Sequence, residues 1–409
     1  LFFLTSSSPF GTGETFIENE MPYLAEGFDE VVIISNEMQA PQTRQVPENV
    51  KLLRYPYELP AGRKFSALHS LTRTWFWQEV KWLLLERKKK LSRGIINTML
   101  ISLYKADQTA TYLQKLARQY HGAALYGYSY WCNDMALALA VWKVREPEVK
   151  TLARGHGWDI YLERTQFGYL PYRKLMAGKL DKIGLISNQG KNYWEAQFGG
   201  SSAIVVSRLG IKEPVVKTKQ KPERQTNLLV SCSSLIPLKR VHLLVEALAL
   251  LPQDHQVCWV HFGSGPLQTE LQTKARELLT GKTGIKREWK GQAENREVLR
   301  YYVENTPDLF VNVSETEGVP VSIMEAFAYG IPAMATNVGG VSELVREGKN
   351  GFLLPVSVTA AELAQKIATF LTMPEAEKKR MRETARAIWQ QDYNAEKNYR
   401  AFTASLLEL

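Results

Sequence analysis

NVSETEGVPVSIMEAFAYGIPAMATNVGGVSELVREGKNG, residues 312–351, decides the fold. A short apolar run at 309–313 enters a polar turn, and Gly318 and Pro320 end that turn. An apolar helical pattern then covers 320–329. Proline suits a first helical turn because the N–H it lacks would have had no partner there. A second apolar run at 332–335 stops at Gly339 and Gly340. Apolar strands joined through a loop and a helix read as one unit of a parallel sheet covered on both faces. Two carboxylates, Glu317 in the loop and Glu325 in the helix, are separated by seven intervening residues and can project towards one cleft.

The same alternation fills the rest of the second half. It predicts strands at 228–232, 257–262, 288–290 and 351–354. Helices are predicted at 241–251, 267–279, 296–304, 342–346, 359–371, 375–390 and 394–407. The first half repeats the pattern, with strands at 1–6, 31–35, 50–55, 123–128, 149–153, 182–187 and 203–206. From 63 to 120 strand signals vanish and long helices dominate. Residues 209–227 are polar and basic, with two prolines and no periodicity, and read as a linker.

The expected architecture is α/β: two doubly wound, Rossmann-like domains facing across a cleft. The first spans 1–208 with a helical excursion near 63–120, and the second spans 228–390. The helix within 391–409 is expected to pack back on the first domain. Ligands in such sheets bind at the carboxyl ends of the strands.

A chain of 409 residues exceeds what one core supports. The 45% hydrophobic and 23% charged residues are an ordinary globular balance. A net charge of +9 favours anionic partners without choosing among nucleotides, phosphate esters, lipids and nucleic acid. Cys132, Cys232 and Cys258 form no C-x-x-C pair and read as buried reduced thiols, which fits a reducing cytosol. No run of about 18 apolar residues exists, so no spanning helix is expected. The opening LFFLT reads as a strand, not a signal peptide. Residues 75–93 set Trp75, Phe76, Trp77 and Trp82 beside six lysines and arginines. That mixture suits an anionic membrane surface; the alternative is a packed helical excursion with a solvated basic end.

A carboxylate accepts bidentately from vicinal hydroxyls, the groups that a ribose and a sugar present. A helix starting at Pro320 aims its positive end at the same place and suits a phosphate. The run EGVPVSIMEAFAYGIPAMATNVGGVSELV, followed by GKNGFLLP and preceded by GSGPL, resembles the retaining glycosyltransferases of the GT-B fold, family 4. The likeness continues through FGTGETFIENE and RGHGWDIY in the first half and includes capsule and lipopolysaccharide transferases.

The resemblance implies that Glu325 holds the donor ribose and Glu317 the donor sugar. It implies that Lys239, in SSLIPLKR, neutralises the diphosphate with Arg240 beside it. Gly318 and Val319 would offer backbone N–H groups, Gly263 and Gly265 would line the nucleotide side, and His156 would contact the sugar at the reacting centre. Gly11, Gly13 and Glu14 would face the diphosphate and acceptor, Glu14 orienting an acceptor hydroxyl. Ser234 stands where the family usually has an arginine.

No cluster has metal-ligand spacing and no cofactor is expected, the donor being a UDP- or GDP-linked sugar. The implied reaction is metal-independent, with a glycan or lipid-linked acceptor, in cell-surface polysaccharide synthesis. The implied location is cytoplasmic, peripheral at the inner face of the plasma membrane. A nucleotide-sugar 2-epimerase is the alternative enzyme. A non-catalytic glycan- or nucleic-acid-binding protein is the alternative outside enzymes, but no nucleic-acid motif appears.

Overall fold

The computed structural model describes residues 1–11, 13–56, 64–214 and 226–409. Thr12, the first residue of the helical excursion and most of the expected linker therefore lie outside the described residues. The chain divides into two compact units, Leu1–Leu209 with Ala395–Leu409, and Gly210–Asn394.

The first unit is built on seven strands: β1 (Phe2–Thr5), β2 (Val31–Ser35), β3 (Val50–Arg54), β4 (Tyr126–Ser129), β5 (Lys150–Gly155), β6 (Lys182–Leu185) and β7 (Ala203–Val206). All pair in parallel, in the order β3-β2-β1-β4-β5-β6-β7. Alternate residues of β1 and β2 enter different cores. Phe2, Leu4, Val32 and Ile34 pack on one face, and Phe3, Val31 and Ile33 on the other. Burial on both faces is why these strands read as unbroken apolar runs. The chain winds outward from β1 to β3, then restarts on the other side at β4. That reversal opens a crevice at the carboxyl ends of β1 and β4.

The second unit has six parallel strands: β8 (Asn227–Cys232), β9 (Val257–Phe262), β10 (Ile285–Gly291), β11 (Leu309–Asn312), β12 (Ala333–Thr336) and β13 (Gly351–Leu354). Their order is β10-β9-β8-β11-β12-β13, with the reversal between β8 and β11. The edge strand β10 is seven residues long and, after buried Ile285, alternates exposed with half-buried positions. Its polar residues hid all but its centre from a search for apolar runs.

The helical excursion packs onto its own unit. Helix Arg93–Ala117 buries Met99, Leu103, Ala106, Ala110 and Leu113. Asp107 of that helix takes both Arg73 and Arg145, which ties the excursion to helix Asp134–Arg145. Helix Thr74–Lys81 continues into a five-residue π-helical turn, Trp82–Glu86. Phe76 and Trp82 lie in the core at 3% and 6% exposure, so half of the aromatics expected at a membrane surface serve packing instead.

The last helix, Ala395–Leu407, belongs to the first unit. Lys182 Nζ donates to the carbonyl of Ser405 at 2.6 Å and to its Oγ at 2.7 Å. Arg154 is fully buried, paired with Glu20, and its guanidinium lies 3.9 Å from the Phe402 ring. Breaking such a pair would strand a charge in the core. Arg154 therefore holds this helix and the helix Ile17–Gly27 to the sheet.

Candidate functional site

In the second unit the candidate residues gather where the strand order reverses. β8 ends at Cys232 and leads to a turn, Pro237–Lys239, that presents Lys239. β11 ends at Asn312 and leads to the loop bearing Glu317, then to helix Val321–Ala328 with Glu325 on its second turn. Lys239 Nζ donates to Glu317 Oε1 at 2.7 Å, and Asn312 Nδ2 reaches the same oxygen at 3.3 Å. The Ser314 N–H donates to Asn312 Oδ1 at 3.0 Å, which fixes that amide.

Glu325 is 8% exposed, and burial pushes its carboxyl up to about 7. The Asn295 side-chain amide, donating to Glu325 Oε1 at 2.6 Å, offsets part of that rise. Cys232 sits between these charges. Burial and the Glu325 carboxylate raise its thiol to about 12, against the lowering effect of Lys239. It is therefore protonated and inert.

Arg240 is bonded to the backbone of neighbouring loops. It adopts a left-handed conformation, φ 48°, and donates from Nε to the Val313 carbonyl and from Nη1 to the Val356 carbonyl, each at 2.7 Å. It clamps these loops together through Nε and Nη1, while Nη2 has no hydrogen-bond partner among the described residues.

Gly263 and Gly265 are explained by backbone approach. A Cβ on Gly263, at φ +131°, would lie 1.9 Å from the Ser233 carbonyl oxygen. Any side chain there would break the contact between the loops that follow β8 and β9. Gly339 does the same for the Glu317 loop: its Cβ would meet the Glu317 carbonyl oxygen at 2.0 Å. The Gly340 N–H donates to the Gly318 carbonyl at 2.6 Å. Gly318 is thus held by backbone, and Val319 is 6% exposed.

In the first unit the candidates meet at the other reversal, after β1 and β4. Glu14 is not free for an acceptor hydroxyl. Its carboxylate accepts the N–H groups of Ser6, Ser7 and Ser8 at 2.9, 2.6 and 2.7 Å, and the Trp131 indole N–H. It organises the loop that also carries Gly11 and Gly13. The expected role gives way to a structural one, because an ionised carboxylate satisfies several orphan N–H groups better than any neutral side chain. Glu14→Gln is expected to lower stability by about 2 kcal/mol. Urea unfolding checks this; an unchanged midpoint would show that the loop holds without the charge.

His156 follows β5 and is 8% exposed. Its ring lies 4.6 Å from Tyr130 and 4.5 Å from Trp131. Neither ring nitrogen has a hydrogen-bond partner among the described residues, and Nδ1 stands 3.7 Å from Asp159 Oδ2. Asp159 Oδ1 accepts the N–H groups of His156 and Gly157, and Oδ2 accepts that of Cys132. Burial would raise the Asp159 carboxyl, but the adjacent His156 and these N–H groups hold it below its ordinary value. His156 is thus a wedged imidazole with an oriented carboxylate behind its Nδ1 and a buried Nε2 that has no hydrogen-bond partner among the described residues.

Three partners were not read from the sequence. Asn312, Asn295 and Trp131 carry no spacing signal. Two could have been suspected, because Asn312 ends the strand at one reversal and Trp131 follows the strand at the other.

The family model described as glycosyl transferases group 1 matches residues 214–388. The second unit belongs to the glycosyl transferase group 1 family. Glu317, Glu325 and Lys239 all lie within this group 1 domain. The chain is 29% identical over 248 residues to a putative colanic acid biosynthesis glycosyltransferase of Escherichia coli, covering 58% of this chain and 56% of that protein. It is 33% identical over 159 residues to a putative teichuronic acid biosynthesis glycosyltransferase of Bacillus subtilis, covering 39% and 36%. The chain thus spans about half or less of these curated relatives.

Among solved structures, a lipopolysaccharide outer core galactosyltransferase aligns over 100% of this chain and 99% of its own, with a TM-score of 0.70 at 15% identity. Alr3699/HepE of Anabaena, solved with UDP and glucose, aligns over 100% and 99%, with a TM-score of 0.66 at 17% identity. At such identities the likeness is one of fold. With two parallel α/β units, that fold is GT-B.

Proposed function

We propose that this protein is a retaining, metal-independent glycosyltransferase of family 4. It moves a sugar from a UDP- or GDP-linked donor to a glycan or lipid-linked glycan in cell-surface polysaccharide synthesis. The observation that carries the reading is the convergence of Glu317, Glu325 and Lys239 on the β8/β11 reversal inside the group 1 domain. The relatives this chain resembles are named as glycosyltransferases, which favours a transferase over an epimerase.

Glu325 binds the ribose hydroxyls, its neighbour Asn295 fixing the carboxylate. Glu317 binds the sugar hydroxyls. Lys239 and the N-terminal end of helix Val321–Ala328 take the developing diphosphate charge, which stabilises the leaving group electrostatically. His156 meets the sugar at the reacting centre. No protein nucleophile is required: the leaving phosphate accepts the acceptor's proton on the face it vacates. The protein acts in the cytoplasm, at the inner face of the plasma membrane.

Thermal-shift screening against UDP, GDP, ADP and their sugar conjugates tests the donor class. A rise in midpoint with one nucleotide family and none with oligonucleotide is expected. No rise with any nucleoside diphosphate would overturn the reading. Incubating the stabilising nucleotide sugar without acceptor should leave its sugar unepimerised.

A further inference from the structure

Helix Thr74–Lys81 and the π-helical turn that continues it carry apolar side chains on two faces. Phe76, Trp82 and Leu83 face inward, each less than a tenth exposed. Trp77, Lys81, Leu84 and Leu85 recur at helical spacing on the outward side. Trp77 is 57% exposed, Leu84 47% and Leu85 65%. A helix packed on its own unit needs only one apolar face, and the other is ordinarily polar.

The chain leaves this face as Arg87–Lys88–Lys89–Lys90. Lys88 sits in the left-handed region, φ 49°, and the Lys89 N–H closes the helix on the Leu83 carbonyl at 2.8 Å. Glycine is the unstrained choice at such a position, so a cation is held there at conformational cost. The four cations share a surface cavity with Trp82 and Tyr169, and no carboxylate among the described residues lines it. The nearby acids are engaged elsewhere: Glu86 pairs with Lys174 at 2.5 Å, and Glu163 accepts from the Tyr193 hydroxyl at 2.7 Å. Gly168 leaves room for the Lys89 ammonium, which lies 3.4 Å from where its Cβ would be. A cationic rim over an aromatic floor, next to an exposed apolar stripe, matches a phosphate carried on an apolar body.

We propose that residues 77–93 form a membrane-docking surface. Trp77, Leu84 and Leu85 enter the interface of an anionic bilayer, and Arg87 to Lys90 hold the phosphate of one lipid headgroup. The proposal rests on the peripheral location given above and names the surface that produces it. No helix among the described residues is long and apolar enough to cross a membrane, so this contact lies in the interfacial plane.

The test is flotation of the full chain with phosphatidylcholine vesicles containing or lacking phosphatidylglycerol. Wild type should float with anionic vesicles only, and less as salt rises. Replacing Lys88, Lys89 and Lys90 by Gly, Gln and Gln should weaken binding roughly a hundredfold at low salt. The Leu84→Ser/Leu85→Ser variant should lose binding to a similar degree. Both leave the core intact, so their thermal midpoints should not fall. Inorganic phosphate at millimolar concentration should not release the vesicles; full release would make the cavity a free-anion site. Equal flotation of wild type and both variants would overturn the proposal. So would a wild type that ignores vesicles but dimerises through the leucines by light scattering. Transfer to a soluble acceptor should be unchanged in both variants, which separates failure of docking from failure of the enzymatic reading.

Discussion

Glu325→Gln is expected to stabilise the unliganded protein above pH 7 while removing donor-dependent transfer. Burial raises the Glu325 carboxyl to about 7 from an ordinary value near 4.5. In the unfolded chain the same group ionises at the ordinary value. The folded state therefore holds a proton more tightly, and its advantage is complete below about pH 4.5. It declines as pH rises and is gone above about 7. A shift of this size corresponds to about 3 kcal/mol. Glutamine keeps the contact with Asn295 and cannot ionise, so its stability should not fall across that window on this account. Glu79 also lies near 7, from burial opposed by the Tyr169 hydroxyl, but it is common to both proteins and cancels in the comparison.

The same ionised carboxylate is what two ribose hydroxyls require. Losing charge-assisted bonds to both should cost roughly a thousandfold in transfer. Unfolding at pH 5 and pH 8, beside a transfer assay, reads both effects. A variant that is less stable than wild type at pH 8, or fully active, would show that the site does not store this cost for ligand binding.

Each of the thirteen strands among the described residues left some signal, and β2, β7, β9 and β13 fall at the expected bounds; β2 is buried at every position, which leaves the apolar run Val31–Ile34 unbroken. What was hidden had a mixed environment. β10 lies at an edge, and the seven-residue helix Arg173–Lys179 is too short to show a period. The candidate carboxylates were legible as a motif on one continuous stretch. Their partners were not, since Asn295 is thirty residues from Glu325 and Trp131 is 117 from Glu14. Only tertiary packing brings such groups together. The same limit explains the revised role of Glu14 and the anchoring of Arg240. Nothing local to the G-x-G loop shows that Glu14 is spent on three backbone N–H groups, and nothing beside Lys239 shows that Arg240 donates to two carbonyls.

Glu317→Gln is expected to bind a nucleoside diphosphate about tenfold more tightly than wild type while transfer falls at least a hundredfold. In the unliganded protein Lys239 Nζ is 2.7 Å from Glu317 Oε1, so the cation proposed for the diphosphate is already paired with the carboxylate proposed for the sugar. The pair is partly buried, 24% and 11% exposed, and is screened far less than a surface bridge. A diphosphate arriving without its sugar must draw Lys239 away and then faces an uncompensated Glu317. A complete nucleotide sugar replaces what Glu317 loses with its own hydroxyls. Removing the carboxylate charge thus frees the lysine and removes the repulsion, and both effects favour the bare diphosphate. Transfer suffers because the hydroxyl contacts that align the sugar are weakened. Lys239→Met should act in the opposite sense on the diphosphate, weakening it by tenfold or more. The double variant should depart from the sum of the two opposite effects, since with Lys239 absent the Glu317 substitution frees no cation. Titration calorimetry at low and high salt measures all three. Weaker diphosphate binding in Glu317→Gln would mean that the pair is not the resting state of the donor site.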